Sequence, residues 1–136
     1  MRYLLALLIA TAPLASQAIT TEDLVAAPPA ALLNGIRSAC QSGSYEKIAA
    51  LHSKKIEALL LATPNRDLIT TTYCSQVEEL IKRLGGDASA ASYFIRPNPD
   101  APRQSELCMA PSTAPGSCKM RFDVIIEDGR LKKDEL

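Results

Sequence analysis

The stretch 119–132, KMRFDVIIEDGRLK, decides the fold class of this chain. Apolar side chains occupy every second position of its first half: Met120, Phe122, Val124 and Ile126. Such alternation is typical of a strand with one face in a core and the other in solvent. Asp128-Gly129 then matches the two-residue turn of a β-hairpin, which needs positive φ. Residues 130–132 are therefore predicted to return as an antiparallel strand.

Two shorter strands precede this hairpin, and three helices precede the strands. Residues 93–95 and 106–110 are β-like segments set among prolines. Further towards the N-terminus, apolar residues recur at helical spacing in three segments that end at Gly or Pro. These segments are 29–42, 45–63 and 67–84. The order predicts one α+β domain over residues 19–133, with three N-terminal helices packed on a small curved antiparallel sheet and stapled by disulfides.

Both ends of the chain carry targeting patterns. Residues 1–18 combine a cation at Arg2, an apolar run too short to span a bilayer and a small-residue end, which predicts a cleaved signal peptide. The last four residues spell the KDEL retrieval signal of the endoplasmic reticulum: Lys133, Asp134, Glu135 and Leu136. In a bacterial host the same tetrapeptide would usually be accidental. A third alternative is a bacterial secreted factor that uses the retrieval route of its host. The Ala-Leu-rich leader favours the periplasm or the exterior, with the lumen of the endoplasmic reticulum as the alternative.

The four cysteines of an exported chain are predicted to pair rather than remain free. Three pairings are open. Cys108 and Cys118 flank a segment rich in Pro and Gly, and Cys40 and Cys74 lie on the apolar sides of the first and third predicted helices. We prefer 40–74 with 108–118. No CxxC or other local chelating pair is present, so neither a metal nor a cofactor is predicted.

Charge and motifs weigh against several classes of function. Once Arg2 leaves with the signal peptide, acids exceed Lys and Arg by one, which provides no electrostatic attraction to nucleic acid or anionic lipid. No later apolar run is long enough for stable membrane insertion. His52, the only histidine, lies beside Lys54 and Lys55 and is predicted to be solvated or at a boundary, without an orienting partner. An enzyme is left open but disfavoured.

Two segments carry a family resemblance. The first is 30–60, where an apolar helix ends near SGSYEK (42–47) and a second begins; the other is FDVIIEDGRLK at 122–132. Together they resemble the opening and the closing hairpin of the NTF2-like (cystatin-like α+β cone) superfamily, although Leu131 stands where a tryptophan is usual. The resemblance implies a curved sheet wrapped by helices around an apolar pocket. No residue here matches a catalytic motif of that superfamily.

Two functions remain open for a small exported, non-enzymatic domain of this kind, whose oligomeric state the sequence does not indicate. One is a module that holds a small apolar ligand in a pocket lined by Leu80, Leu84, Phe94, Phe122 and Val124. The same side chains would otherwise form plain core. The other is an inhibitor or immunity-type protein that binds a protein partner through the Pro-rich segments 98–103 and 111–116. An internal cavity would favour the ligand module, and a filled core the partner.

Overall fold

Helices precede the sheet along the chain, as predicted. The computed structural model describes residues 18–136. Its helices are α1 (Thr21–Ala26), α2 (Pro29–Ser42), α3 (Tyr45–Ala50), α4 (Lys54–Ala62) and α5 (Arg66–Arg83). A 3₁₀ turn at Ala88–Ala90 leads into the strands β1 (Ser92–Asn98), β2 (Ala101–Ala110), β3 (Met120–Glu127) and β4 (Arg130–Lys133). The predicted α+β class is confirmed. The predicted signal peptide lies outside the described residues, apart from Ala18.

The helix predicted over 45–63 is two helices, because its middle bonds to a distant strand. Ser53 caps α4, where its hydroxyl accepts a hydrogen bond from the Ile56 N–H at 3.4 Å. Ser53 also donates its N–H to the Lys133 carbonyl at 2.8 Å, and the Lys133 N–H donates to the Leu51 carbonyl at 3.1 Å. These bonds form a parallel bridge between His52 and Lys133. Residues 51–53 therefore cover the outer edge of β4.

The four strands form an antiparallel sheet in the order β1-β2-β3-β4. Each strand pairs with the next along the chain, which needs only short connections. The β3–β4 turn has positive φ at Asp128 (53°) and Gly129 (73°), as the sequence predicted. This turn sets the register that pairs Ile126 with Leu131 and Val124 with Lys133.

The core lies between the helices and one face of the sheet. Its sheet side is formed by Leu107, Met109, Phe122 and Val124, and its helix side includes Leu33, Ile36 and Ile81. Because side chains alternate along a strand, the intervening residues lie on the opposite face, which is called the outer face below. This face carries Phe94, Arg96, Glu106, Cys108, Arg121 and Asp123.

Both disulfides have the preferred pairing. Cys40–Cys74 joins α2 to α5, with the two Cα atoms 5.6 Å apart. Cys108–Cys118 joins β2 to the residues just before β3, with the Cα atoms 4.8 Å apart. No cysteine in the described part of the chain is free. Such cross-links fit an oxidising compartment.

Candidate functional site

The residues predicted to line an apolar pocket do not line a common cavity. Leu84, Phe122 and Val124 are buried at 2%, 5% and 2% exposure and pack into the core. Leu80 is only partly buried, on α5. Phe94 points to the outer face, because its neighbours Tyr93 and Ile95 are the residues that pack against the core. The set is therefore split between core, helix surface and outer face.

An open groove of about 670 Å³ lies between α5 and the start of β3. The helix contributes Ser75, Gln76, Glu79, Leu80 and Arg83, whose spacing places them on one stripe of α5. The strand side contributes Lys119, Met120 and Arg121. We call these eight residues the α5–β3 groove. Of the predicted pocket residues, only Leu80 belongs to it.

The α5–β3 groove combines apolar side chains with a basic rim. Leu80 and Met120 are partly buried and pack against the core beneath them. Arg83 forms an exposed ion pair with Glu79 at 3.3 Å, while Lys119 is exposed. Arg121 is the third cation, and its guanidinium pairs with Glu106 on the outer face. With Glu79 and Glu106 both counted, the rim keeps one cation in excess, at Lys119. The surface suits an elongated ligand that has both apolar and anionic groups.

Arg121 also belongs to a charge cluster on the outer face. Glu106 accepts a hydrogen bond from Arg96 Nε at 2.9 Å and pairs with Arg121 Nε at 3.2 Å. The Glu106 side chain is only 5% exposed, because the two guanidinium groups cover it. One carboxylate thus holds two arginines from the strands on either side of β2, which fixes the position of the Arg121 side chain at the groove.

Replacing Glu106 by Gln should lower the free energy of unfolding by about 1–2 kcal/mol, since one neutral amide cannot satisfy two guanidinium groups. The expected loss of stability is small because the Arg96 and Arg121 side chains are 37% and 57% exposed, so solvent screens their charges. Glu78→Gln is the matched control, since Glu78 pairs with Arg37 but is 48% exposed. Urea unfolding should show a smaller loss for the control. Equal losses would contradict the role assigned to Glu106.

His52 is buried, which corrects the prediction of a solvated or boundary histidine. It is 2% exposed, because the break between α3 and α4 turns it under β4. Its Nδ1 lies 2.9 Å from the Ile48 carbonyl, and its Nε2 lies 2.9 Å from the Tyr73 hydroxyl. A carbonyl only accepts, so Nδ1 carries the proton and Nε2 accepts from Tyr73. The sequence missed this pair because 21 residues separate its members.

Burial makes this His–Tyr pair a structural feature. Desolvation lowers the pKa of His52 to about 4, and the cations of Lys133 and Lys132 add to that effect. Desolvation also raises the pKa of Tyr73 far above its usual value. Both groups are therefore neutral at pH 7, and neither lines the α5–β3 groove.

The predicted retrieval residues are part of the folded domain. Lys133 closes β4, and its Nζ lies 4.7 Å from the Tyr73 ring centre and 5.3 Å from that of Phe122. Burial lowers the pKa of Lys133, an effect opposed by the charge of Glu135. The Asp134 N–H donates to the Asp123 carbonyl, and Glu135 Oε1 accepts from the Asp123 N–H, both at 2.8 Å. Leu136 is 64% exposed.

The two Pro-rich segments lie at opposite ends of the sheet. Residues 98–103 contain the β1–β2 turn, while 111–116 follow β2 at its other end. β2 has 10 residues, which at about 3.3 Å per residue span about 30 Å. The two segments are therefore separated by the length of β2. Only 111–116 leads, through Cys118, directly into the groove residues Lys119 and Met120.

Comparison with known proteins does not assign the chain to a family. It matches no protein-family model, no curated protein and no solved structure. The resemblance to the NTF2-like superfamily therefore stays a prediction. Within residues 18–136, no group of three or more His, Cys, Asp or Glu is arranged to hold a metal ion. None of the helices in that range has the length and apolar character needed to cross a bilayer.

Proposed function

We propose that this chain is an exported, non-enzymatic interaction domain that binds an acidic segment of a protein partner along the α5–β3 groove. The observation that carries the proposal is the groove itself, where the apolar Leu80 and Met120 lie beside three cations. Interfaces of this kind use apolar contacts for affinity and charges for orientation and rate of encounter. An inhibitor or immunity-type role belongs to the same class.

The surroundings of the groove support a preformed binding surface. Cys108–Cys118 ties the Pro-rich segment 111–116 to the sheet immediately before Lys119. Cys40–Cys74 joins α2 to the helix that supplies the other wall, one residue before Ser75. A surface that is already ordered loses less conformational entropy when it binds. Disulfides on both sides also fit an extracytoplasmic compartment, periplasmic or extracellular.

The proposal favours a protein partner over a small apolar ligand. Of the side chains predicted to line an apolar pocket, Leu84, Phe122 and Val124 fill the core instead. The α5–β3 groove itself is open. Small apolar ligands bind in enclosed cavities that cover most of their surface. An open, partly charged groove suits a peptide segment better.

The Lys119→Glu substitution should abolish capture of the partner, with at least about a tenfold loss of affinity, because it places a carboxylate where the acidic segment binds. Lys55→Glu is the matched control, since Lys55 is exposed on α4, away from the groove. The oxidised protein would be used to capture proteins and small molecules from its native compartment, with identification by mass spectrometry and affinity by titration calorimetry.

A second variant tests the neighbouring loop. Residues 112–116 would be replaced by a Gly/Ser segment of equal length, which keeps the Cys108–Cys118 bridge. We expect weaker binding of the same partner. The proposed function is overturned if both lysine variants bind equally well, or if only a small apolar molecule is recovered.

A further inference from the structure

The backbone hydrogen bonds of the sheet can be traced from one edge to the other. In an antiparallel sheet, successive residues direct their N–H and C=O groups alternately to the two neighbouring strands. Asp123 directs both groups towards the C-terminal side, where they bond to Glu135 and Asp134. Lys133 in turn directs both groups outwards, to Leu51 and Ser53. The edge of the sheet at β4 is thus occupied.

The same alternation fixes the direction of the groups in β1. Since Asp123 faces β4, Phe122 faces β2 and bonds to its partner Leu107. Glu106 and Cys108 must then face β1, where they pair with Arg96 and Phe94. The residues that alternate with Phe94 and Arg96 along β1 direct their backbone groups away from the sheet: Tyr93, Ile95 and Pro97.

No strand in the described part of the chain pairs with this outer edge of β1. Between residues of the described range 18–136, no hydrogen bond ends on the outward N–H groups of Tyr93 and Ile95 or on the outward carbonyls of Tyr93, Ile95 and Pro97. Pro97 has no N–H, and an outward position on an edge strand is where sheets accommodate proline. An unpaired strand edge is a template for another strand.

We propose that β1 pairs antiparallel with β1 of a second copy of this chain, about a two-fold axis at Ile95, to form one continuous eight-stranded sheet. Ile95 exchanges both backbone hydrogen bonds with the partner's Ile95. Each Tyr93 N–H donates to the partner's Pro97 carbonyl. Residues of the groove do not lie on β1, so the dimer leaves the α5–β3 groove accessible.

In this register, the side chains of one β1 strand complement those of the partner's β1 strand. Phe94 and Arg96 share the outer face, and the two-fold axis places each Phe94 opposite the partner's Arg96. An arginine over an aromatic ring is attractive. Glu106 is shared between Arg96 and Arg121, so its single charge is divided between two cations. An axis at Arg96 would oppose two like charges, and an axis at Phe94 would pair each Arg96 with Ser92.

Two substitutions at one position test the register. Phe94→Lys places a cation opposite the partner's Arg96 and should weaken dimerisation at least about tenfold, whereas Phe94→Glu places an anion there and should preserve or strengthen it. Sedimentation velocity from about 1 µM to about 1 mM would measure the dissociation constants, since a short strand interface is expected to bind in the micromolar range or weaker. Circular dichroism and thiol titration would show that both variants fold and remain oxidised.

Amide hydrogen exchange tests the proposed strand pairing in the wild-type protein, without a substitution. In the monomer the N–H groups of Tyr93 and Ile95 have no partner among residues 18–136 and should exchange fast. At dimer-forming concentration both should slow at least about tenfold. A wild-type protein that stays monomeric to about 1 mM would overturn the proposal. Equal weakening by Phe94→Lys and Phe94→Glu, or unchanged exchange at Tyr93 and Ile95, would overturn the proposed pairing.

Discussion

Replacing Cys40 and Cys74 together by alanine should lower the free energy of unfolding by about 4 kcal/mol. The bridge closes a loop with a sequence separation of 34 residues, and the chain-entropy model gives about this value for a loop of that length. Its loss also frees α5 from α2, two helices that pack against each other. Urea unfolding of the wild type and the double variant, monitored by circular dichroism, measures the difference.

The second disulfide is the matched comparison. Cys108–Cys118 closes a loop with a sequence separation of only 10 residues, so the same model gives about 3 kcal/mol for its removal. The order of the two losses is the informative result. A smaller effect for the Cys40/Cys74 variant than for the Cys108/Cys118 variant would contradict a loop-entropy origin and indicate strain or residual structure in the unfolded state.

Acid should destabilise this protein through His52. Unfolded histidine titrates near pH 6.5, whereas the pKa of His52 in the folded chain is about 4, so between these values the unfolded state binds the extra proton. The contribution of His52 to the free energy of unfolding is therefore present in full above about pH 6.5 and is lost as the pH decreases towards 4. A difference of this size corresponds to about 3 kcal/mol.

His52→Gln isolates this contribution, because an amide oxygen can still accept the hydrogen bond from Tyr73 and does not titrate. The variant should be less stable than the wild type at pH 7, and the difference should shrink by about 3 kcal/mol at pH 4. Unfolding free energies in urea at pH 7, 5.5 and 4 measure this. Parallel pH curves for the two proteins would show that His52 is not the group responsible.

The correct predictions rest on local patterns. Alternation over 119–126 and the turn at Asp128-Gly129 place the hairpin without knowledge of the rest of the chain, because strand faces and turn φ values depend on adjacent residues. The cysteine pairing could also be predicted from the sequence, since Cys40 and Cys74 lie on the apolar sides of predicted helices. The pocket predicted from five apolar residues was not found, because the sequence pattern of apolar residues is the same whether they line a cavity or fill a core.

The residues that sequence reasoning misplaced are governed by distant neighbours. Nothing near His52 indicates that Lys133 will bond to the residues on both sides of it, yet that contact divides the predicted helix and buries the imidazole. Phe94 lies between two other apolar residues, Tyr93 and Ile95, so the segment does not show which face is buried. The groove was missed because its walls lie on α5 and β3, far apart in the chain, although the polar stripe of α5 was a partial signal.

The sequence by itself determined the helix-then-strand order, the closing hairpin and the preferred disulfides, because spacing and turn chemistry act over a few residues. Only the tertiary structure decided that His52 is buried against Tyr73 and that the α5–β3 groove exists. It also decided that, within the described range, the outer edge of β4 is covered while that of β1 has no paired strand. Those features depend on which backbone and side-chain groups meet across long sequence separations. A hydrogen bond between distant residues leaves no periodic pattern in either segment, so it becomes visible only once the chain has folded.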